Sequence, residues 1–489
     1  MKSSTRNIVI VAVAAAVLGG VVIALTHTPG GKGTASSAAG SSSAASIKLI
    51  SKSSTDVTSM KVTNKKGSYT LIPVPSGKIG ASSTSPSALP SSSGSSVTYT
   101  VEELSGCPVD TGETGSAVKN GFSLSATKNI GAVSSLEDYG LQDPQATVQV
   151  TFRDGSTFSY KIGNATATDS SAHYMCGTSS NSVYIVSIDQ GLLEGADYFI
   201  SKEIVSSSNA SSSDFTKIAL SGSNFPTPLT LQKDKSGTLA ITAPDSYKAD
   251  ATSLNSLMTT LSSITAESVV KVKPDAAALK QYGLSSPATV AEYTIGNKSY
   301  KLIVGAKSGS NYYAMIDGVD VVYSVTAENL SGLVSQSMFS LRSKLVFQPD
   351  IETVKGLSIV SGNTSYTANL TRKEKASSST QDEKSYTYKV TGNGGKALNY
   401  SSNYTNLYQK LTGLMIYGAS SMKPSGSPAV TVKYSYFDKA GTDTVEFYLT
   451  SEHYTAVLNG KVLGLCSKSD LDAIMQSASG FENGKTVSA

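Results

Sequence analysis

The same succession of patterns runs through this chain three times. Repetition on that scale restricts the fold to tandem units or a stacked array. Each copy opens with runs in which apolar and polar residues alternate. They are "VTSMKVTNKKG", "SYTLIPV" and "VTYTVEEL" in the first copy, "FTKIALSG", "TPLTLQK" and "GTLAITAP" in the second, and "VKGLSIVSG", "TSYTANLTR" and "KSYTYKVTG" in the third. A period of two marks half-buried strands. The polar loop between the second and third runs is short in the second copy and long in the others ("SGKIGASSTSPSALPSSSGSS", "KEKASSSTQDE"), as surface loops are. A helical pattern follows. Behind a predicted N-cap at Asp250, Leu254, Leu257, Met258, Leu261 and Ile264 form one apolar stripe, and Tyr404, Leu407, Tyr408, Leu411 and Leu414 repeat its spacing. In the first copy a weaker stretch, Val118 to Ile130 with Gly121 inside it, takes the helix position. A hairpin comes next, most plainly "ATVQVTF", "RDGS", "TFSYKIG", where Asp-Gly sits between alternating runs. A second pair of short strands closes each copy.

These patterns predict an α+β protein of three tandem units, each an antiparallel β-sheet with a covering helix, after an N-terminal transmembrane helix. The length of 489 residues fits about three domains. Lys2 and Arg6 precede an uncharged run from Ile8 to Leu25, which is long enough to span a bilayer and is oriented with the bulk of the chain outside the cytoplasm. A cleaved signal peptide is the other reading of that run. The expected divisions are 1–27, cytoplasmic stub and signal anchor; 28–46, Gly/Ser linker; 47–205, first unit; 214–347, second unit; and 351–480, a degenerate third unit. A net charge of +4, with no basic cluster, argues against nucleic-acid binding. The absence of Trp beside 25 Tyr suits a strand-rich chain.

The hexapeptide "YGLQDP" at 139–144 returns as "YGLSSP" at 282–287. Read as a helix stop, it places Gly140 and Gly283 at C′, where the backbone is left-handed and glycine fits best. Leu136 with Leu141, and Leu279 with Leu284, then stand at the C3 and C″ positions of a Schellman motif. Pro144 and Pro287 block further helix and admit a strand. The third copy has "IYGASSMKPSGSP" instead, a departure that suits structural punctuation better than a shared catalytic motif.

Taken together, Tyr139-Gly140-Leu141, Pro144, Asp154-Gly155, Ile162-Gly163 and Val183-Tyr184, with Tyr282-Gly283-Leu284, Pro287, Val304-Gly305 and Val322-Tyr323, resemble the bacterial domain of unknown function 4340. The resemblance covers two copies by motif and the third by element order. It implies an extracytoplasmic, membrane-attached α+β protein that accompanies an envelope partner such as an ABC-type export system. It carries over no catalytic residues.

Residues able to do chemistry are few. His27 lies in the tether. His173-Tyr174 aligns with Tyr312-Tyr313 and with His453-Tyr454, so the histidines hold a repeated strand position that tyrosine also fills, which is foreign to a general base. Cys466 aligns with Val186 and Val325, and Cys176 with Met315 and Ala456, as small buried hydrophobes. Cys107 precedes Pro108 in a loop, and a Cys107–Cys176 bridge stays open. Glu137 and Asp138 read as a solvated helix face. "GNGGK" at 392–396 lacks the spacing of a phosphate loop. No cofactor or metal site and no enzymatic activity is expected. The expected function is a non-catalytic scaffold or accessory protein. A cell-wall glycan or surface-polymer binding module is the first alternative and a hydrolase the second.

Overall fold

The computed structural model describes residues 46–74, 97–207, 209–375, 385–420, 424–482 and 485–487. It corrects the expected α+β class: the protein is mostly β, with 47% strand, 22% helix and, among the described residues, four sheets. No helix among the described residues is long and apolar enough to cross a membrane. The helix expected within 1–27 lies outside the described residues, as do most of the two long polar loops.

Three of the sheets are large, and their strands follow one plan. The first runs Ile47–Ser51, Ser123–Ala132, Ser182–Ser187, Ala172–Gly177, Thr157–Ala165, Ala146–Phe152, Val57–Asn64, Gly67–Pro73, Tyr99–Val101. The second runs Leu239–Ala243, Phe225–Lys233, Phe215–Gly222, Thr289–Ile295, Lys298–Ser308, Asn311–Ile316, Val321–Thr326, Ser268–Val272. The third runs Ala397–Leu398, Tyr386–Thr391, Thr364–Glu374, Val354–Ser361, Val430–Tyr436, Thr442–Leu449, His453–Leu458, Lys461–Ser467, Ile416–Gly418. In each, an early strand (Val57–Asn64, Phe215–Gly222, Val354–Ser361) pairs antiparallel with the first strand of the later hairpin, as Val62 opposite Val148, Leu220 opposite Ala291, and Ile359 opposite Val432 show. Alternation fixes the buried face: Val148, Val150 and Phe152 point inward, as do Ala291, Tyr293 and Ile295.

Each unit is entered through an acid-capped turn. Ser53 N–H donates to Asp56 Oδ2 (3.1 Å), Ser211 N–H to Asp214 Oδ2 (2.7 Å), and Glu352 N–H to Asp350 Oδ1 (3.0 Å). The carbonyl at the end of that turn takes an amide from the hairpin: Arg153 to Asp56 (2.8 Å), Gly296 to Asp214 (2.9 Å) and Phe437 to Thr353 (3.0 Å).

The covering helices are Thr111–Phe122, Ala251–Ser262 and Asn406–Thr412. Ala251–Ser262 buries Leu254, Leu257, Met258 and Leu261. Burying a leucine fully is worth about 2 kcal/mol. Asp250 caps it by accepting from Ser253 N–H (2.9 Å), and that bond leads the causes holding its carboxyl below the usual range. Asp250→Ala is therefore expected to cost about 1 kcal/mol at neutral pH. A depressed carboxylate pKa stabilises above the unfolded value, about 4, and the benefit is lost as pH falls through the folded value. The gap between the two proteins in urea titrations should thus close in acid.

The first unit departs from its expected helix at Val118–Ile130. The helix is Thr111–Phe122, capped by Asp110, and Ser123–Ala132 is a strand. The residues explain the shift. Leu124 and Ala126 alternate into the core, whereas Gly121 lets the helix approach the sheet so closely that a Cβ there would meet Met60 Sδ at 2.9 Å. In the third unit Tyr404 lies in a π-turn, Tyr400–Thr405, that leads into the helix Asn406–Thr412.

One apolar core runs through units one and two, and unit three has its own. The fourth sheet, Glu203–Ser206 with Ser263–Thr265, crosses the boundary between the first two.

Candidate functional site

The repeated hexapeptide is a docking turn on the outer face of a sheet. Gly140 takes φ 65° and Gly283 φ 70°. Leu141 N–H donates to Leu136 O (3.0 Å) and Gly140 N–H to Glu137 O (2.9 Å). Leu284 N–H donates to Leu279 O (2.8 Å) and Gly283 N–H to Lys280 O (3.1 Å). This is the Schellman pairing. The helix it stops is a short one of its own, Glu137–Tyr139 in unit one and Ala276–Gln281 in unit two, separated from the covering helix by Ser123–Ala132 in unit one and by Ser263–Thr265 and Ser268–Val272 in unit two. Leu141 joins Leu136, Cys176 and Val183 in a small separate apolar cluster. Tyr139 packs edge-on to Tyr174 (5.0 Å between centroids), and Tyr282 packs on Tyr313 (4.7 Å). After Pro144, Gln145 N–H donates to Ile162 O (2.8 Å), and the Pro287 carbonyl accepts from Ser223 N–H (3.3 Å).

The glycine of the neighbouring strand completes the device. A Cβ on Gly163 would overlap the Tyr139 carbonyl oxygen, and one on Gly305 would overlap that of Tyr282. Ala306 N–H donates to that same Tyr282 carbonyl (2.9 Å). Gly163 and Gly305 are thus the partners that the six-residue pattern requires.

The residues with reactive side chains are spread through the packing. His173 is buried, pairs across the hairpin with Val186, and has its pKa pushed down by burial. Tyr312 pairs with Val325 and Tyr454 with Cys466. By register, then, Tyr454 rather than His453 stands where His173 does. The three cysteines are free and buried, and burial raises each thiol, Cys466 to about 12. No group of His, Cys, Asp and Glu suited to a metal occurs among the described residues. Asn393–Gly395 of the "GNGGK" segment is a 3-10 turn between strands.

A cleft lined by many polar groups lies at the junction of units one and two. It holds about 700 Å³ between the start of the first helix (Asp110 to Glu113), the segment from Glu194 to Glu203, and the edge strand of the second sheet at Ser268 and Val269. Main-chain bonds set its walls: Asp110 N–H donates to Phe199 O (2.8 Å) and Ser201 N–H to Pro108 O (2.9 Å). Five carboxylates (Asp110, Glu113, Glu194, Asp197, Glu203) face one amine, Lys202. Three of the five are already engaged. Asp110 accepts from the amides of Gly112 (2.9 Å) and Glu113 (3.2 Å), Glu113 from Tyr198 OH (3.1 Å), and Glu194 from Lys66. Burial and then Glu113 push the Tyr198 hydroxyl up to about 12, so it stays protonated at neutral pH. The bond to Lys66 leads in lowering the Glu194 pKa. Such a wall is anionic and preset by hydrogen bonds. Nothing in the sequence marked it, because its two sides come from different units.

The fold is that of a mostly β protein built of three like-ordered antiparallel sheets. The family model described as Domain of unknown function (DUF4340) matches residues 240–429, less than half of the chain. That span supports the family resemblance and includes the 282–287 hexapeptide but not the one at 139–144. No curated protein matches the chain. No solved structure matches it.

Proposed function

We propose that the chain is a non-catalytic accessory or scaffold protein of the cell envelope that works outside the cytoplasm and docks an envelope partner. The observation that carries this reading is the use to which the reactive side chains are put. The cysteines and His173 are packing residues, and three of the five carboxylates of the junction cleft are engaged by capping, a tyrosine hydroxyl and an ion pair. What the cleft offers is a fixed anionic wall at a unit junction, suited to a cationic segment of a partner. The extracytoplasmic placement rests on Lys2, Arg6 and the apolar run after them. An ABC-type exporter as partner rests on the family resemblance.

The tyrosines argue for scaffold over glycan-binding module. Tyr69, Tyr99, Tyr160, Tyr323, Tyr404 and Tyr434 are fully buried, and Tyr388 stacks on Tyr400 (4.9 Å) instead of presenting both faces outward.

The test is crosslinking in intact cells followed by mass spectrometry of what is captured. Recovery of transporter subunits is expected, with the yield cut by about tenfold when Glu113 and Asp197 are both changed to lysine. Retention on purified cell wall with no protein captured would replace this reading with the polymer-binding one.

A further inference from the structure

The three units are not joined alike. Units one and two share one apolar core, and a strand pair crosses their boundary. Between units two and three runs a strap, residues 342–346, bonded to both sides. Ser343 N–H donates to Lys248 O (2.7 Å) in unit two. Lys344 O accepts from Ile416 N–H (2.8 Å), and Val346 N–H donates to Leu414 O (2.9 Å), in unit three.

The packing beside the strap is cationic and aromatic. Arg342, only 7% exposed, has its guanidinium 4.6 Å from the Tyr247 ring centroid and 5.5 Å from that of Phe339. Its Nη2 donates to the Leu463 carbonyl of unit three. Its Nε has no hydrogen-bond partner among the described residues. Lys461 of unit three stands over Tyr247 as well (3.8 Å), donates to Ser246 O (3.3 Å) and pairs with Asp245 (3.5 Å).

Tyr247 and Phe339 of unit two also pack against unit three's core, but the polar contacts set this junction apart from the continuous core of units one and two. A buried, incompletely bonded guanidinium gives up hydration, which it regains when the junction opens. Opening the boundary of units one and two would return apolar surface to water with no such compensation. The geometry points to a molecule of two bodies: units one and two move as one, and unit three is latched to them by Arg342 and Lys461 on Tyr247 and swings about residues 343–349 when that latch opens. This mechanical division stands apart from what the protein binds.

Spin-label distance measurements on the full chain test it. Labels at exposed positions, introduced as Lys128→Cys with Lys235→Cys and as Lys235→Cys with Lys389→Cys, report the two boundaries separately. In the Arg342→Ala background the second distance distribution is expected to broaden to more than about twice its starting width, while the first is unchanged. Lys461→Ala, a more exposed change that spares the strap, is expected to broaden the second distribution in the same direction and covers the case in which Arg342→Ala does not fold. The proposal is overturned if neither variant moves the second distribution, or if the first broadens as much as the second.

Discussion

Gly305→Ala is expected to destabilise the protein by about 3 kcal/mol. The added methyl would overlap the Tyr282 carbonyl oxygen, a main-chain atom that already accepts from Ala306 N–H. It has no rotamer with which to escape. The carbonyl belongs to the left-handed turn at Gly283, so moving it breaks the Leu284–Leu279 bond and lifts Tyr282 from Tyr313. Gly163→Ala makes the same overlap with Tyr139 and should cost a comparable amount. By contrast, Gly296→Ala, in an open turn with nothing within 4 Å of the added atom but φ 57°, should cost only about 1 kcal/mol. Chemical denaturation of the three variants checks the ranking. Equal losses at Gly305 and Gly296 would refute the docking role.

Leu257→Ala is expected to cost about 3–4 kcal/mol, the usual price of removing a fully buried leucine from a close-packed core. Its consequence should also be shared. Leu257 lies in the apolar cluster that spans units one and two, so calorimetry should show those units melting together at a lower temperature. Unit three, with its separate cluster around Leu407, Tyr434 and Phe447, should keep its own transition. Loss of unit two alone, with amides of unit one such as Val148 still protected from exchange, would contradict a shared core.

The parts of this architecture that were legible in the sequence are those with a local cause. Asp250 and the stripe from Leu254 to Leu261 lie within one helix, and Asp154-Gly155 within one turn. The hexapeptide could be read as a Schellman stop because its bonds close within six residues. Its docking partner could not, since Gly163 and Gly305 meet it only across the sheet. The strand Ser123–Ala132 was hidden for a related reason. It carries only Leu124 and Ala126 as fully buried apolar residues, and the helix before it is too rich in glycine to show a stripe. Proportion was missed as well as position: strand exceeds helix about twofold, and the class is mostly β. The junction cleft and the Arg342 latch lie between units, where periodicity within one segment carries no signal.

The borders of the three sheets have a further meaning. The outermost strands include Tyr99–Val101, Ala397–Leu398 and Ile416–Gly418, each of two or three residues, and Leu239–Ala243 runs directly into Pro244. The strap occupies the open side of the main chain at Leu414 and Ile416. A polypeptide so devoted to extended backbone offers many sites for self-templated polymerisation, and these truncated margins remove most of them. Resistance to fibril growth is thus written into the perimeter of the sheets.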